Sequence, residues 1–195
     1  MKRTFFSLAL LLAVATLTAQ TKMTAREAAV KIADRILAST TYEFKNTKTG
    51  EIYKSVKKLP LDMDVKVACK YNNWHYTNGV TNMALMELGD KLGDKKYEKY
   101  VLKNMNFVFN EGNLDFFRKQ YDEAFKRDGW NAVRKLSWHM IFRGKRLDDN
   151  GPMGASLIEL QLKYPNDSFL GYINETAEHL NYGEPRLVDG TIARI

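Results

Sequence analysis

At 195 residues the chain is sized for one domain or part of a larger one, and its 45% hydrophobic content is ordinary for a packed core. A formal charge of +7 comes without a basic run interleaved with aromatics, which argues against nucleic acid and leaves an acidic ligand or a solvated lysine surface. Cys69 is the single cysteine, so an intrachain disulfide is excluded.

Met1 to Gln20 reads as a secretory signal peptide. Lys2 and Arg3 make the charged start, Phe5 to Leu17 the apolar stretch, and Thr18-Ala19-Gln20 the cleavage region. The apolar stretch is too short for a permanent membrane span, and no Cys follows it to carry a lipid. The expectation is an exported protein, periplasmic or secreted, without a stable membrane anchor. Residues 21–195 then form the domain proper.

Thr24-Ala25-Arg26-Glu27 is a capping-box start for a helix running to about Ser39. Thr41 to Ser55 reads as two short strands around a turn at Asn46 to Gly50, and the chain after Pro60 reads as irregular until Asn78. Helices are predicted near 79–92 and 95–110, split by Gly93-Asp94, and near 114–126, ended by Gly129. Two more follow near 152–163 and 166–181, with Pro165-Asn166 between them. Arg186-Leu187-Val188, Asp189-Gly190 and Thr191-Ile192-Ala193-Arg194 have the form of a β-hairpin with a two-residue turn.

Two of the helical hairpins repeat without a gap, 72 residues apart. Asn78 falls on Asn150, Gly79 on Gly151, Leu85 on Leu157, Tyr97 on Phe169, Tyr100 on Tyr172 and Val101 on Ile173. Neither unit can bury its apolar face alone, so the repeat implies either an open helical solenoid or a closed α/α barrel.

The chemistry concentrates at the helix starts. Asp148 and Asp149 follow Arg146 just ahead of an apolar helix, where the helix dipole lowers the cost of negative charge. They suit acid/base or ligand-binding work, with helix capping by one and solvation of the other as the competing reading. Trp74, Tyr76 and Asn78 hold the matching position in the earlier hairpin. Aromatics beside an amide suit sugar rings, with core packing as the competing reading; Trp130 and Trp138 carry the same ambiguity. His75, His139 and His179 have no metal-ligand spacing, and no nucleophile elbow, phosphate loop or dinucleotide fingerprint is present.

Three segments together resemble a known group. Trp74-His75-Tyr76-Thr77-Asn78-Gly79-Val80, Arg146-Leu147-Asp148-Asp149-Asn150-Gly151-Pro152-Met153-Gly154, and Arg186-Leu187-Val188-Asp189-Gly190-Thr191-Ile192-Ala193-Arg194 resemble, in order, glycoside hydrolase families 88 and 105. Those are the unsaturated glucuronyl and rhamnogalacturonyl hydrolases, and the likeness to family 105 is the closer. The resemblance implies an all-α fold, the N-terminal half of an (α/α)6 barrel with short β-hairpins. It implies hydration of the 4,5-unsaturated uronic acid that polysaccharide lyases leave, without metal or organic cofactor, and an unsaturated oligosaccharide as the ligand.

Residue by residue, Asp148 matches the Asp of the Leu-Asp-Asp motif beside the attacking water, and Asp149 matches a position that varies. Tyr76 and Trp74 match aromatics lining the sugar site; Asn78, Arg146 and Arg194 are grouped with them as substrate-binding. Arg186, Asp189, Gly190 and Arg194 match the arm that precedes the family's Trp-x-Asp-Asp-x-x-Met segment, which bears the principal acid/base Asp and does not occur here. The expectation is therefore a fragment, or the product of a split or truncated gene, poorly soluble and lacking hydrolase activity alone. The competing readings are a non-catalytic carbohydrate-binding or scaffold protein derived from a truncated barrel, and a plain α-solenoid interaction module.

Overall fold

The computed structural model describes residues 23–143 and 147–193, with the side chain of Asp149 outside the description. The expected signal peptide, Arg146, Arg194 and the Asp149 side chain therefore lie outside the described residues. Chain contacts separate two units, divided between Asp34 and Arg35.

The described part of the first unit is the start of helix α1 (Ala25–Ser39). Its capping box forms as the sequence predicts. The Glu27 N–H donates to Thr24 Oγ1 at 3.2 Å, and the Thr24 N–H donates to the Glu27 carboxylate at 2.8 Å. These bonds hold the Glu27 carboxyl below its ordinary pKa.

The second unit is mostly helical with one small sheet. Strands β1 (Phe44–Asn46), β2 (Ile52–Tyr53) and β3 (Val65–Val67) are antiparallel in the order β2-β1-β3. The β1–β2 turn is the expected one. Asn46 Oδ1 accepts from the Lys48 and Thr49 N–H groups at 2.9 and 3.1 Å, and Gly50 takes a φ of 78° that only glycine adopts freely. β3 corrects the expectation of irregular chain after Pro60. Three residues are too few to show a strand period, and β3 is held from outside the sheet by Gln120, whose amide donates to Val65 O at 3.0 Å and to Asp62 O.

Helices α2 (Tyr76–Leu92) and α3 (Lys96–Val108) make the first hairpin, closed by Gly93 at φ 65°. Tyr97, Tyr100, Val101 and Val108 are all buried, as their shared helical face predicts. Helix α4 (Glu111–Val133) carries a break at Asp128 and Gly129, where the sequence marks one. A short helix α5 (His139–Arg143) follows, entered through Trp138, which is fully buried at a φ of 56°. That conformation is rare for a bulky side chain. Trp138 is held in it by donating its backbone N–H to Asn73 Oδ1 at 3.1 Å and its indole N–H to Asn72 O at 2.6 Å.

Helices α6 (Leu147–Lys163) and α7 (Asp167–Glu178) make the second hairpin, followed by a π-helical turn at His179–Gly183. Three starts differ from expectation. α4 begins at Glu111 instead of near 114, because Asn110 caps it by accepting the Asn113 N–H. α2 begins at Tyr76, because His75 caps it by accepting the Thr77 N–H at Nδ1. α6 runs through Asn150-Gly151-Pro152, which reads in the sequence as a turn. Pro152 lacks the N–H that would meet the Asp148 carbonyl, but that carbonyl lies in the helix's first turn, at an exposed residue.

The two hairpins meet through α2 and α6. A Cβ on Gly79 would come within 2.6 Å of Pro152 O, so only glycine admits this approach. At the far end Lys163 of α6 pairs with Asp90 of α2 at 2.7 Å. Starts meet starts and ends meet ends, so the two helices run side by side in one direction.

The C-terminal hairpin is smaller than expected. It is a single bridge, Arg186 to Ile192, inside which the Leu187 N–H donates to Thr191 O at 2.8 Å and closes a turn of three residues, Val188-Asp189-Gly190, instead of two. Gly190 at φ 86° closes the turn by donating its N–H to Leu187 O, and Arg186 donates to Gly190 O and Leu180 O.

Candidate functional site

The equivalent starts of α2 and α6 form the region the sequence singles out. Tyr76 stands on the first turn of α2, 45% exposed, with its ring 4.6 Å from that of His75. Asp148, 72 residues on, stands on the first turn of α6 and is also exposed. Gly79 against Pro152 brings the two turns together, so an exposed aromatic and an exposed carboxylate share one end of the helix pair.

Trp74 takes a different part. It is 1% exposed and sits in an aromatic cluster, edge-on to Tyr172 at 4.8 Å and to Phe109 at 5.8 Å. Its indole N–H points to Asn150 Oδ1 at 3.4 Å, and the Tyr172 hydroxyl donates to the same oxygen at 2.7 Å. Of the two readings open for Trp74 in the sequence, the structure shows core packing. Burial pushes the Tyr172 phenol well above its ordinary pKa, so it stays protonated and a donor.

Asn78 is likewise committed to the fold. Its amide donates to Lys70 O at 2.9 Å and Asn73 O at 2.6 Å, which ties the 70–75 loop onto α2. Asn150, its repeat partner, does the same work with side chains instead of backbone. Asn150 carries no ligand-binding expectation in the sequence. The signal was present in the repeat, which sets an Asn at the same turn of both hairpins.

Behind α2, Asn72, Asn78, Asn82 and Asn104 line a cavity of about 10 Å³, room for one water-sized molecule. Of these residues, Asn72 Oδ1 and Asn104 Nδ2 have no hydrogen-bond partner among the described residues. At the opposite end of the helix pair, Lys163 reaches Asp90 at 2.7 Å and the buried Glu98 at 3.3 Å, and Tyr164 donates to Glu98 at 2.9 Å.

Trp138 is buried, as already described, whereas Trp130 is 45% exposed. Among the described residues no three His, Cys, Asp or Glu side chains gather as a metal site, and no helix is long and apolar enough to cross a membrane. Against models of known protein families and against curated protein sequences, the chain finds no match. What the arrangement can do chemically therefore rests on its own residues: Asp148 can accept a hydrogen bond or a proton from a ligand or water, and Tyr76, at the same end of the helix pair, can cover an apolar ring face.

Proposed function

We propose that the chain is the N-terminal part of an exported glycoside hydrolase that acts on unsaturated uronyl oligosaccharides derived from rhamnogalacturonan, within an (α/α)6 barrel. The observation that carries this reading is the pairing of two repeated helical hairpins at their equivalent starts, with Asp148 of the Leu-Asp-Asp motif on one and Tyr76 on the other, both exposed. Adjacent inner helices of an α/α barrel run side by side in this way.

The reaction this reading assigns is hydration of a vinyl ether. A proton adds to C4 of the 4,5-double bond and a water oxygen adds to C5, the water's proton passing to a carboxylate. The hemiketal so formed opens, and the neighbouring sugar leaves as the alcohol. Asp148 accepts a hydrogen bond from the attacking water and Tyr76 lies against the sugar, while the principal acid/base is the Asp of the family's later segment. The chemistry needs the double bond, which separates it from ordinary two-carboxylate glycosidases.

The test uses protein expressed from its native gene, including any sequence encoded beyond Ile195. Matched unsaturated and saturated rhamnogalacturonyl disaccharides are supplied, and the ultraviolet absorbance of the conjugated double bond is followed. The reading expects that absorbance to fall as free sugar appears, with the saturated compound untouched. Cleavage of both compounds, or of neither, contradicts it. The non-catalytic carbohydrate-binding alternative draws on a separate observation, the exposed rings of Phe125 and Trp130 on α4, and expects binding without turnover.

A further inference from the structure

A second surface, on α4 and α5, is built from aromatic rings and guanidinium groups. Arg118, Tyr121 and Phe125 recur at three and four residues along α4, so they share one helical face. The helix then breaks at Asp128 (φ −151°) and Gly129 (φ 51°, ψ −136°). The break returns Trp130 edge-on to Phe125, with ring centres 6.0 Å apart. α5 adds Phe142, edge-on to Tyr121 at 5.6 Å, and Arg143.

Each arginine lies over a ring. Arg118 is 4.3 Å from the centre of Phe142, and Arg143 is 4.9 Å from the centre of Trp130. A guanidinium carries five N–H donors, so one seated over a ring face keeps donors directed away from that ring. Among the described residues neither arginine pairs with a carboxylate, and nearby Glu123 is taken by Lys126 at 3.0 Å. Phe125 and Trp130 stay 48% and 45% exposed, in a chain whose Trp74, Trp138 and Phe117 are fully buried. The surface therefore offers apolar ring faces beside two unfilled carboxylate forks.

We propose that Arg118, Tyr121, Phe125, Trp130, Phe142 and Arg143 bind the acidic sugars of a uronate-bearing oligosaccharide. A pyranose presents a flat C–H face to Trp130 or Phe125, and its carboxylate accepts paired N–H donors from Arg143 or Arg118. An acidic peptide meets the charge without the flat apolar ring. A nucleic acid would meet the rings, but its phosphates call for dense positive charge, and Glu111 to Arg143 holds seven basic against five acidic residues. The site stands whether or not Asp148 is catalytic.

The test is titration calorimetry of the full chain with a defined oligogalacturonate, a neutral galactan oligosaccharide of the same length, and a single-stranded oligonucleotide. Tryptophan fluorescence is recorded alongside, since Trp130 is the exposed indole. Binding of the oligogalacturonate with a change in indole emission is expected, with the neutral sugar and the oligonucleotide at least about tenfold weaker. Arg118→Gln/Arg143→Gln and Trp130→Ala should each weaken oligogalacturonate binding about tenfold or more, at unchanged near-ultraviolet circular dichroism. Trp130→Phe, which keeps a ring, should retain most of it. The proposal is overturned if oligogalacturonate does not bind, if the double-arginine variant binds it as well as the parent, or if the oligonucleotide binds as tightly.

Discussion

Asn150 shows how a residue inside the sequence motif can serve the fold. One carboxamide oxygen accepts from both the Trp74 indole and the Tyr172 hydroxyl, and Asn150 is 5% exposed. Asn150→Leu keeps the volume but leaves two buried donors without an acceptor. Each such group costs about 1–3 kcal/mol, so the variant should lose about 2–4 kcal/mol in urea denaturation. A loss below about 0.5 kcal/mol would mean that neither bond matters. Gly79 makes a steric prediction. A methyl there has backbone of Pro152 and Met153 in its place, so Gly79→Ala should cost about 3 kcal/mol or more unless α2 and α6 move apart. Gly50→Ala, where nothing lies within 4 Å but φ is 78°, should cost only about 1 kcal/mol.

At the scale of elements, the helical hairpins were legible because their apolar faces recur over two full helices and again 72 residues later. Their starts were less so. His75 is not among the usual capping residues, and Asn150-Gly151-Pro152 carries turn chemistry that α6 overrides through its packing on Gly79. β3 escaped notice since its stabilising partner, Gln120, is 55 residues away in the chain. α5 was hidden because the break before it sits on Trp138, not on a glycine. In the candidate site, the equivalent placement of Asp148 and Tyr76 could be read from the repeat, but the burial of Trp74 and Asn78 could not: it depends on Phe109, Tyr172 and a loop backbone from elsewhere. Gly129 carries an element-scale prediction. Its φ and ψ lie in a region open essentially to glycine, so Gly129→Ala should cost about 1–3 kcal/mol and shift Trp130 emission, as the Phe125–Trp130 contact is lost. An unchanged spectrum and stability would show that the break does not position Trp130.

Across the second unit, the α2–α6 pair is fixed by sterics at one end and by charge at the other. Lys163 holds the Asp90 carboxyl below its ordinary 3.8, and Asp90, followed by Glu98, raises the Lys163 ammonium. Because Asp90's folded pKa is depressed, its contribution is present above the unfolded value and fades as pH falls through the folded one. Lys163's is raised, so its contribution is present below 10.5 and fades as pH climbs past the folded value. The melting temperatures of the parent and Lys163→Met should therefore differ most near neutral pH and converge below about pH 4. A gap that stays constant from pH 3 to pH 8 would assign the effect to packing. The larger claim is that these paired helix starts carry part of a hydrolytic site. Its most direct measurement is kcat/KM of the native gene product, parent against Asp148→Asn, on an unsaturated rhamnogalacturonyl disaccharide. A fall of about 100-fold or more at unchanged circular dichroism is the predicted result, and an unchanged rate in a folded Asp148→Asn protein would contradict it.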